Sequence, residues 1–365
     1  MDNSITVLEK NPFNPFKNLK ILNLSSNSIT CIENGIFQDL KKLTSLNLGW
    51  NQITYVHGEL FEGLSRLEEL FLRKTHMTAI ENGSFKGLKN LHRLFLDLNE
   101  LTFINKAMLE GLQNLEELSF WENKITSIEV DSFSELFMLT SLDLSSNSIT
   151  EIYEETFRGL PNIKTIALSI NKLHSFAPET FRNLSSLEYL GLKRNSFSSL
   201  DMNLFEDLKN LKNFYVSDTP IGTLSSNEFK KLTSLTQLRF SFCQINSIDE
   251  KAFESLTNLK ALILFNNFIT SIAPNTFKGL SDLKLLYFNN NPLTYISPDA
   301  FDDNVDLNNL MIATDAQFPC CSRVALYRRF GTDLMMNEEC QYFGKLRSYS
   351  DALEELLHNC ADQTV

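Results

Sequence analysis

Apolar residues recur along this chain at a fixed spacing. Around Asn27 they stand at Leu19, Leu22, Leu24, Ile29, Ile32, Phe37 and Leu40, with polar residues between them. The string L-x-x-L-x-L-x-x-N-x-I-x-x-I-x-x-x-x-F-x-x-L returns every 24 residues, and LNLSSNSIT at 22–30 reappears as LDLSSNSIT at 142–150. Asparagine fills one slot of this register at 3, 27, 51, 99, 123, 147, 171, 195, 267 and 291; Thr75, Thr219, Cys243 and Asp315 fill the rest. Self-similarity at such a period marks a solenoid, which lengthens without adding new cores. A chain of 365 residues therefore need not be cut into several globular domains.

Each recurring type has a physical task. Leu22-x-Leu24 predicts a short strand whose alternate side chains point into the core. Stacked repeats then make a parallel sheet along one face. The Asn must lie inside, where its amide satisfies backbone groups of the turn after the strand. Cys243 in that slot reads as a small apolar core residue. The phenylalanines at 13, 37, 61, 85, 133, 157, 181, 205, 229, 253, 277 and 301 predict a stacked spine under the convex side, with Leu109 the one substitute.

This pattern resembles the leucine-rich repeat, L-x-x-L-x-L-x-x-N/C-x-L. The regular 24-residue unit is similar to that of Slit, Toll and Toll-like receptors and variable lymphocyte receptors. The resemblance implies an α/β repeat solenoid: a horseshoe with a parallel concave β-sheet, a Phe spine and a disulfide-bonded C-terminal cap. It also implies recognition of a protein ligand on the concave face, in adhesion, guidance, hormone sensing or innate immunity.

Three segments are expected: residues 1–18 as a partial first repeat without its N-terminal cap, 19–315 as an array of about 12–13 repeats, and 316–365 as a C-terminal cysteine-rich cap. Cys320, Cys321, Cys340 and Cys360 follow C-C-x18-C-x19-C. Four cysteines allow three pairings. The resemblance to the C-terminal cap of extracellular leucine-rich repeat proteins implies Cys320–Cys340 and Cys321–Cys360. The adjacent C-C, and Gln317-Phe318-Pro319 in place of an aromatic N-P-W/F start, depart from that pattern. Zinc ligation is disfavoured by the absence of C-x2-C spacing, and disulfides imply an oxidising compartment. Cys31 has two readings, a half-buried thiol or a partner for another segment or chain. Sequons stand at Asn23, Asn82 and Asn183; the last two, in convex connecting segments, are the expected glycosylation sites.

A net charge of −12 and a pI near 5.0 argue against nucleic acid, which needs a basic stripe. No apolar run is long enough to span a bilayer. MDNSITVLEKNPF lacks the basic and apolar regions of a signal peptide, so extracellular placement rests on the cysteines and sequons. No catalytic motif, metal site or cofactor fingerprint occurs, and an enzyme is not expected. The histidines are dispersed, with only His76 near charged neighbours.

Packing dictates the core slots, so ligand information must lie in the variable strand slots. Four consecutive repeats place Trp50, Phe71, Arg73, Lys74, Phe95, Asp97, Glu117, Trp121 and Glu122 there, both tryptophans of the chain among them. Exposed Trp, Phe and Arg together have the composition of a binding hot spot. Two small polar repeats follow, then a second patch: Tyr189, Arg194, Tyr215, Arg239, Phe242, Phe265 and Tyr287. The competing reading is a lateral ladder of sheet-surface aromatics without a ligand. At the level of the whole chain, the alternatives to a secreted binder are a structural or dimerising assembly protein and the ectodomain of a membrane signalling receptor.

Overall fold

A computed structural model of the protein describes residues 4–8, 12–312, 326, 339–342 and 345–348. Two compact units divide the chain, Met1–Ser196 and Phe197–Val365. Each is a parallel-strand solenoid. In the first, eight short strands run in sequence order from Ile21–Asn23 to Tyr189–Gly191; in the second, five run from Asn213–Ser217 to Asn309–Met311. Every parallel pairing among the described residues joins residues 24 apart, as in Ile21↔Ser45 and Leu70↔Leu94. The sequence period is thus the strand register itself. Beyond the first strand, middle residues such as Leu46, Leu70, Leu94 and Leu118 point into the core with no exposed surface.

The asparagines form the inner ladder. Asn51 Nδ2 donates to Leu24 O of the preceding repeat (3.0 Å) and to Leu48 O of its own (2.8 Å), while its Oδ1 accepts from Ile29 N (3.0 Å). Asn123, Asn147, Asn171 and Asn195 repeat this in the first unit, and Asn267 and Asn291 in the second. One buried amide therefore answers backbone groups that a turn would leave unpaired. Thr75 meets the same need from the other side, its N–H and hydroxyl both reaching Asn99 Oδ1 (2.9 Å each). Cys243 is fully buried, with Sγ 3.3 Å from Ser241 O. Burial pushes its thiol up to about 12, which makes it inert.

On the opposite side the phenylalanines stack as expected: Phe61 on Phe85 (5.9 Å) and Phe157 on Phe181 (6.0 Å) in the first unit, and Phe229, Phe253, Phe277 and Phe301 in the second. The connecting segments are almost free of helix. Among the described residues, three short 3-10 pieces, Ala107–Leu109, Met202–Phe205 and Pro298–Phe301, are the helical content there, and i→i+3 turns such as Leu40 N to Phe37 O do the rest. The 21 residues from the end of one strand (Asn23) to the start of the next (Ser45) must turn, cross and return, and they do so through single turns. Gly111 and Gly159 make close stacking possible: a Cβ on Gly111 would lie 2.5 Å from Lys86 Cα, and one on Gly159 2.6 Å from Ser134 O.

Near the end of the array, Asn304 replaces the usual Leu and donates to Phe277 O and Leu280 O. Beyond it, Glu339–Tyr342 and Lys345–Ser348 pair as an antiparallel hairpin with Cys340 opposite Arg347. The expected bridges Cys320–Cys340 and Cys321–Cys360 lie outside the described residues, as does the first register position, Asn3.

Candidate functional site

The sheet face is built by two features of each repeat. Outer strand residues flank the buried middle one, and the residue just before the Asn slot turns the chain out of the strand. That turning residue is left-handed throughout: φ runs from 51° to 58° at Ser26, Trp50, Lys74, Leu98, Glu122, Ser146, Ile170 and Arg194 in the first unit, and at Asp218, Phe242, Asn266 and Asn290 in the second. None is glycine, so each carries the steric cost of that region. Cross-repeat hydrogen bonds hold the conformation, as in Trp50 N to Arg73 O (2.7 Å) and Ile170 N to Lys193 O (2.7 Å). The αL turn is absent from any reading of apolar spacing, because spacing does not encode the sign of φ.

In the first unit the strand slots converge on one interlocked surface. Phe71 stacks on Phe95 at 5.0 Å and 12°. The Arg73 guanidinium lies 4.3 Å over the Phe95 ring, and its Nε is 2.5 Å from Asp97 Oδ2. Ser119 Oγ donates to the other Asp97 oxygen. One strand over, Arg93 sits between Glu69 (2.8 Å) and Glu117 (3.9 Å), and Glu100 takes Lys124 (2.7 Å) and His76 (3.3 Å). Lys74 Nζ stands 4.1 Å over the Trp50 ring. Trp50 is 54% and Trp121 39% exposed, and Lys74 and Glu122 are exposed beside them.

Two residues expected as exposed contacts are covered instead. Phe95 is 8% and Asp97 3% exposed. Phe95 lies under Arg73 and against Phe71, and Asp97 lies between Arg73 and Ser119. They form the floor that holds the outer residues. Burial raises the Asp97 pKa above the ordinary aspartate value, against the opposite pulls of Ser119 and Arg73 and with a small push from Asp143. Ser119, which spacing alone could not single out, proves to be the third member of that floor.

The second patch falls in both units. Tyr189 and Arg194 belong to the first, with the Tyr189 hydroxyl lying over Gly191, where a Cβ would meet it at 2.9 Å. In the second unit, Arg239 stacks over Phe265 (5.1 Å) and its Nε donates to Ser241 Oγ (3.1 Å). Phe242 meets Phe265 edge-on at 5.3 Å and is 49% exposed. Tyr215 OH donates to Gln237 Oε1 (2.5 Å), and Tyr287 is half-buried.

Away from the face, Asn82 and Asn183 are exposed on the connecting turns, and Asn23 on its strand. Cys31 is exposed and free, not half-buried, in a parallel bridge with Val7. Among the described residues, no helix is long and apolar enough to cross a membrane.

The leucine-rich repeat family model matches residues 1–53, 51–101, 89–149, 137–197, 187–245 and 257–314, and a two-copy model of the same repeat matches 233–279. The chain belongs to the leucine-rich repeat family. No curated protein matches this leucine-rich repeat chain in sequence. Solved leucine-rich repeat structures do match in fold. A chain of the Drosophila Toll–Spatzle complex superposes with a TM-score of 0.76 at 19% identity, over 92% of this chain and 53% of that one. A leucine-rich repeat protein of Leptospira interrogans gives 0.69 at 25% identity, over 97% and 92%, and a Listeria monocytogenes internalin 0.66 at 22%, over 85% and 84%. The chain thus spans about half the length of the Toll-complex chain.

Proposed function

We propose that this leucine-rich repeat chain is an extracellular recognition module that binds a protein ligand on its sheet face, with no chemical step. The observation that carries the reading is the pairing of two exposed tryptophans, Trp50 and Trp121, with a floor of stacked rings and ion pairs beneath them. Large aromatics held out from a rigid sheet lose little side-chain freedom on binding. Trp50, Phe71, Arg73, Lys74, Glu117, Trp121 and Glu122 are the contacts; Phe95 and Asp97 support them. Tyr189 and Arg194 are further contacts on the first unit, and Tyr215, Arg239, Phe242, Phe265 and Tyr287 are the contacts on the second unit's own face. Residues 19–315 serve as the binding array, with 316–365 as its cap, bridged Cys320–Cys340 and Cys321–Cys360. Asn82 and Asn183 carry glycans, which leaves the sheet face open.

A binding screen of the intact chain against extracellular proteins tests this. Trp121→Ala should weaken the selected ligand about tenfold or more and leave thermal unfolding nearly unchanged. Phe95→Ala should instead cost about 3 kcal/mol of stability. A ligand indifferent to both Trp121→Ala and Trp50→Ala would end the proposal. One second reading, the ectodomain of a membrane signalling receptor, is favoured by the fold shared with half of a Toll-complex chain. Another, dimeric assembly through a disulfide, is favoured by the exposed Cys31 thiol, and non-reducing electrophoresis decides it.

A further inference from the structure

Resting on the reading that the sheet face binds protein, we propose that it captures carboxylates: each unit presents one pre-oriented arginine, Arg73 in the first and Arg239 in the second, to an acidic partner residue set beside an apolar one. In both places the guanidinium lies over a phenylalanine ring (Phe95 at 4.3 Å, Phe265 at 5.1 Å) and is tethered through Nε, to Asp97 in one case and to Ser241 in the other. Among the described residues, neither guanidinium has a hydrogen-bond or ion-pair partner besides that tether, so its Nη groups remain available as donors. A guanidinium so held offers a two-pronged donor at little ordering cost, and carboxylate is the acceptor whose geometry fits it.

The charges around Arg73 point the same way. Arg93 is already met by Glu69 and Glu117, and Lys124 by Glu100. Lys74 is not: it leans on the Trp50 ring and has no carboxylate among the described residues. The unmet cation beside the exposed indole is therefore Lys74, next to the Arg73 guanidinium that Asp97 holds by Nε alone. That indole would receive the partner's apolar group. Around Arg239, the exposed Phe242 fills that role. Glu122 on the same face and the chain's net charge of −12 oppose a polyanion such as a sulfated polysaccharide. They do not oppose a single carboxylate in an otherwise mixed protein surface.

The test is to pan random displayed peptides against the full chain at physiological salt, with heparin as a separate probe. Enriched peptides should carry Asp or Glu next to an aromatic or branched apolar residue. Arg73→Gln should weaken the synthetic peptides selected on the first unit about tenfold, and Arg73→Lys several-fold, because the charge stays and the fork is lost. Arg239→Gln should do the same for peptides selected on the second unit, and its neutral tether Ser241 keeps that variant folded. Arg158→Gln, an equal charge change in a connecting segment, should alter neither. Enriched peptides without acids, or acidic ones indifferent to Arg73→Gln and Arg239→Gln, would overturn the inference while leaving Trp121-dependent binding intact. Heparin binding lost in Arg73→Gln with no peptide selected would also overturn it, assigning the site to polyanions. First-unit ligands independent of both tryptophans would instead remove the underlying reading.

Discussion

On the proposed binding face, Asp97 would act without touching a ligand. Its carboxylate is buried at the base of Arg73, where loss of water outweighs the stabilising contacts from Ser119 and Arg73 and raises its pKa. A raised folded-state pKa means that the folded chain takes up the proton before the unfolded one does. The cost of this buried charge is present at neutral pH and is relieved as pH falls through the folded-state value. Two outcomes follow. The unfolding free energy of the wild type, measured against Asp97→Asn, should shift in the wild type's favour on acidification. Ligand affinity should move the other way, falling before ordinary aspartates titrate, because a neutral Asp97 no longer holds Arg73; Asp97→Asn should show no such step. Titration of affinity and denaturant midpoint in both chains, from neutral pH down to the ordinary aspartate range, checks this. A pH-independent difference would show that Asp97 does not titrate in the folded chain over that range.

The repeat is a strand, a left-handed corner, an Asn turn and a Phe-anchored return. Its corner is the strained part. Ile170 occupies it at φ 58°, a β-branched residue where branching is least tolerated, and it is 47% exposed, so little core packing depends on it. Asn266 and Asn290 occupy the same corner in the second unit at φ 55° and 58°, linked side chain to side chain at 3.1 Å. Ile170→Asn should therefore stabilise the chain by about 1 kcal/mol, read as a higher denaturant midpoint; a lower midpoint would mean that the Ile170 side chain packs in solution. The element scale also separates what spacing reveals from what it hides. Leu22-x-Leu24, Asn27 and Phe37 predict strand, ladder and spine, and each is found in place. Phe95 and Asp97 occupy slots that alternation assigns to the surface, yet neighbouring side chains cover them. Alternation describes the backbone's two faces and says nothing of a side chain from the next repeat folding over one of them.

Across the molecule, the array's open ends need closing, since a terminal strand leaves unpaired edge groups and an uncovered core. If Cys340 is bridged as proposed, Cys340→Ser should cost roughly 2–5 kcal/mol, seen as earlier unfolding of the end of the array by hydrogen exchange; protection unchanged by the substitution or by reductant would remove the bridge. The sequence by itself determined the solenoid, its 24-residue register, the Asn ladder, the Phe spine and the outward slots, because each repeat satisfies its neighbour by the same contacts and a single period encodes them all. Only the tertiary structure decided which outward residues are exposed and which are floor, that Arg73 and Arg239 are held over phenylalanines, and that the repeats from Ser26 to Asn290 leave the strand through a left-handed corner. Those properties arise between side chains of adjacent repeats that differ from one another, and a period carries no information about the differences.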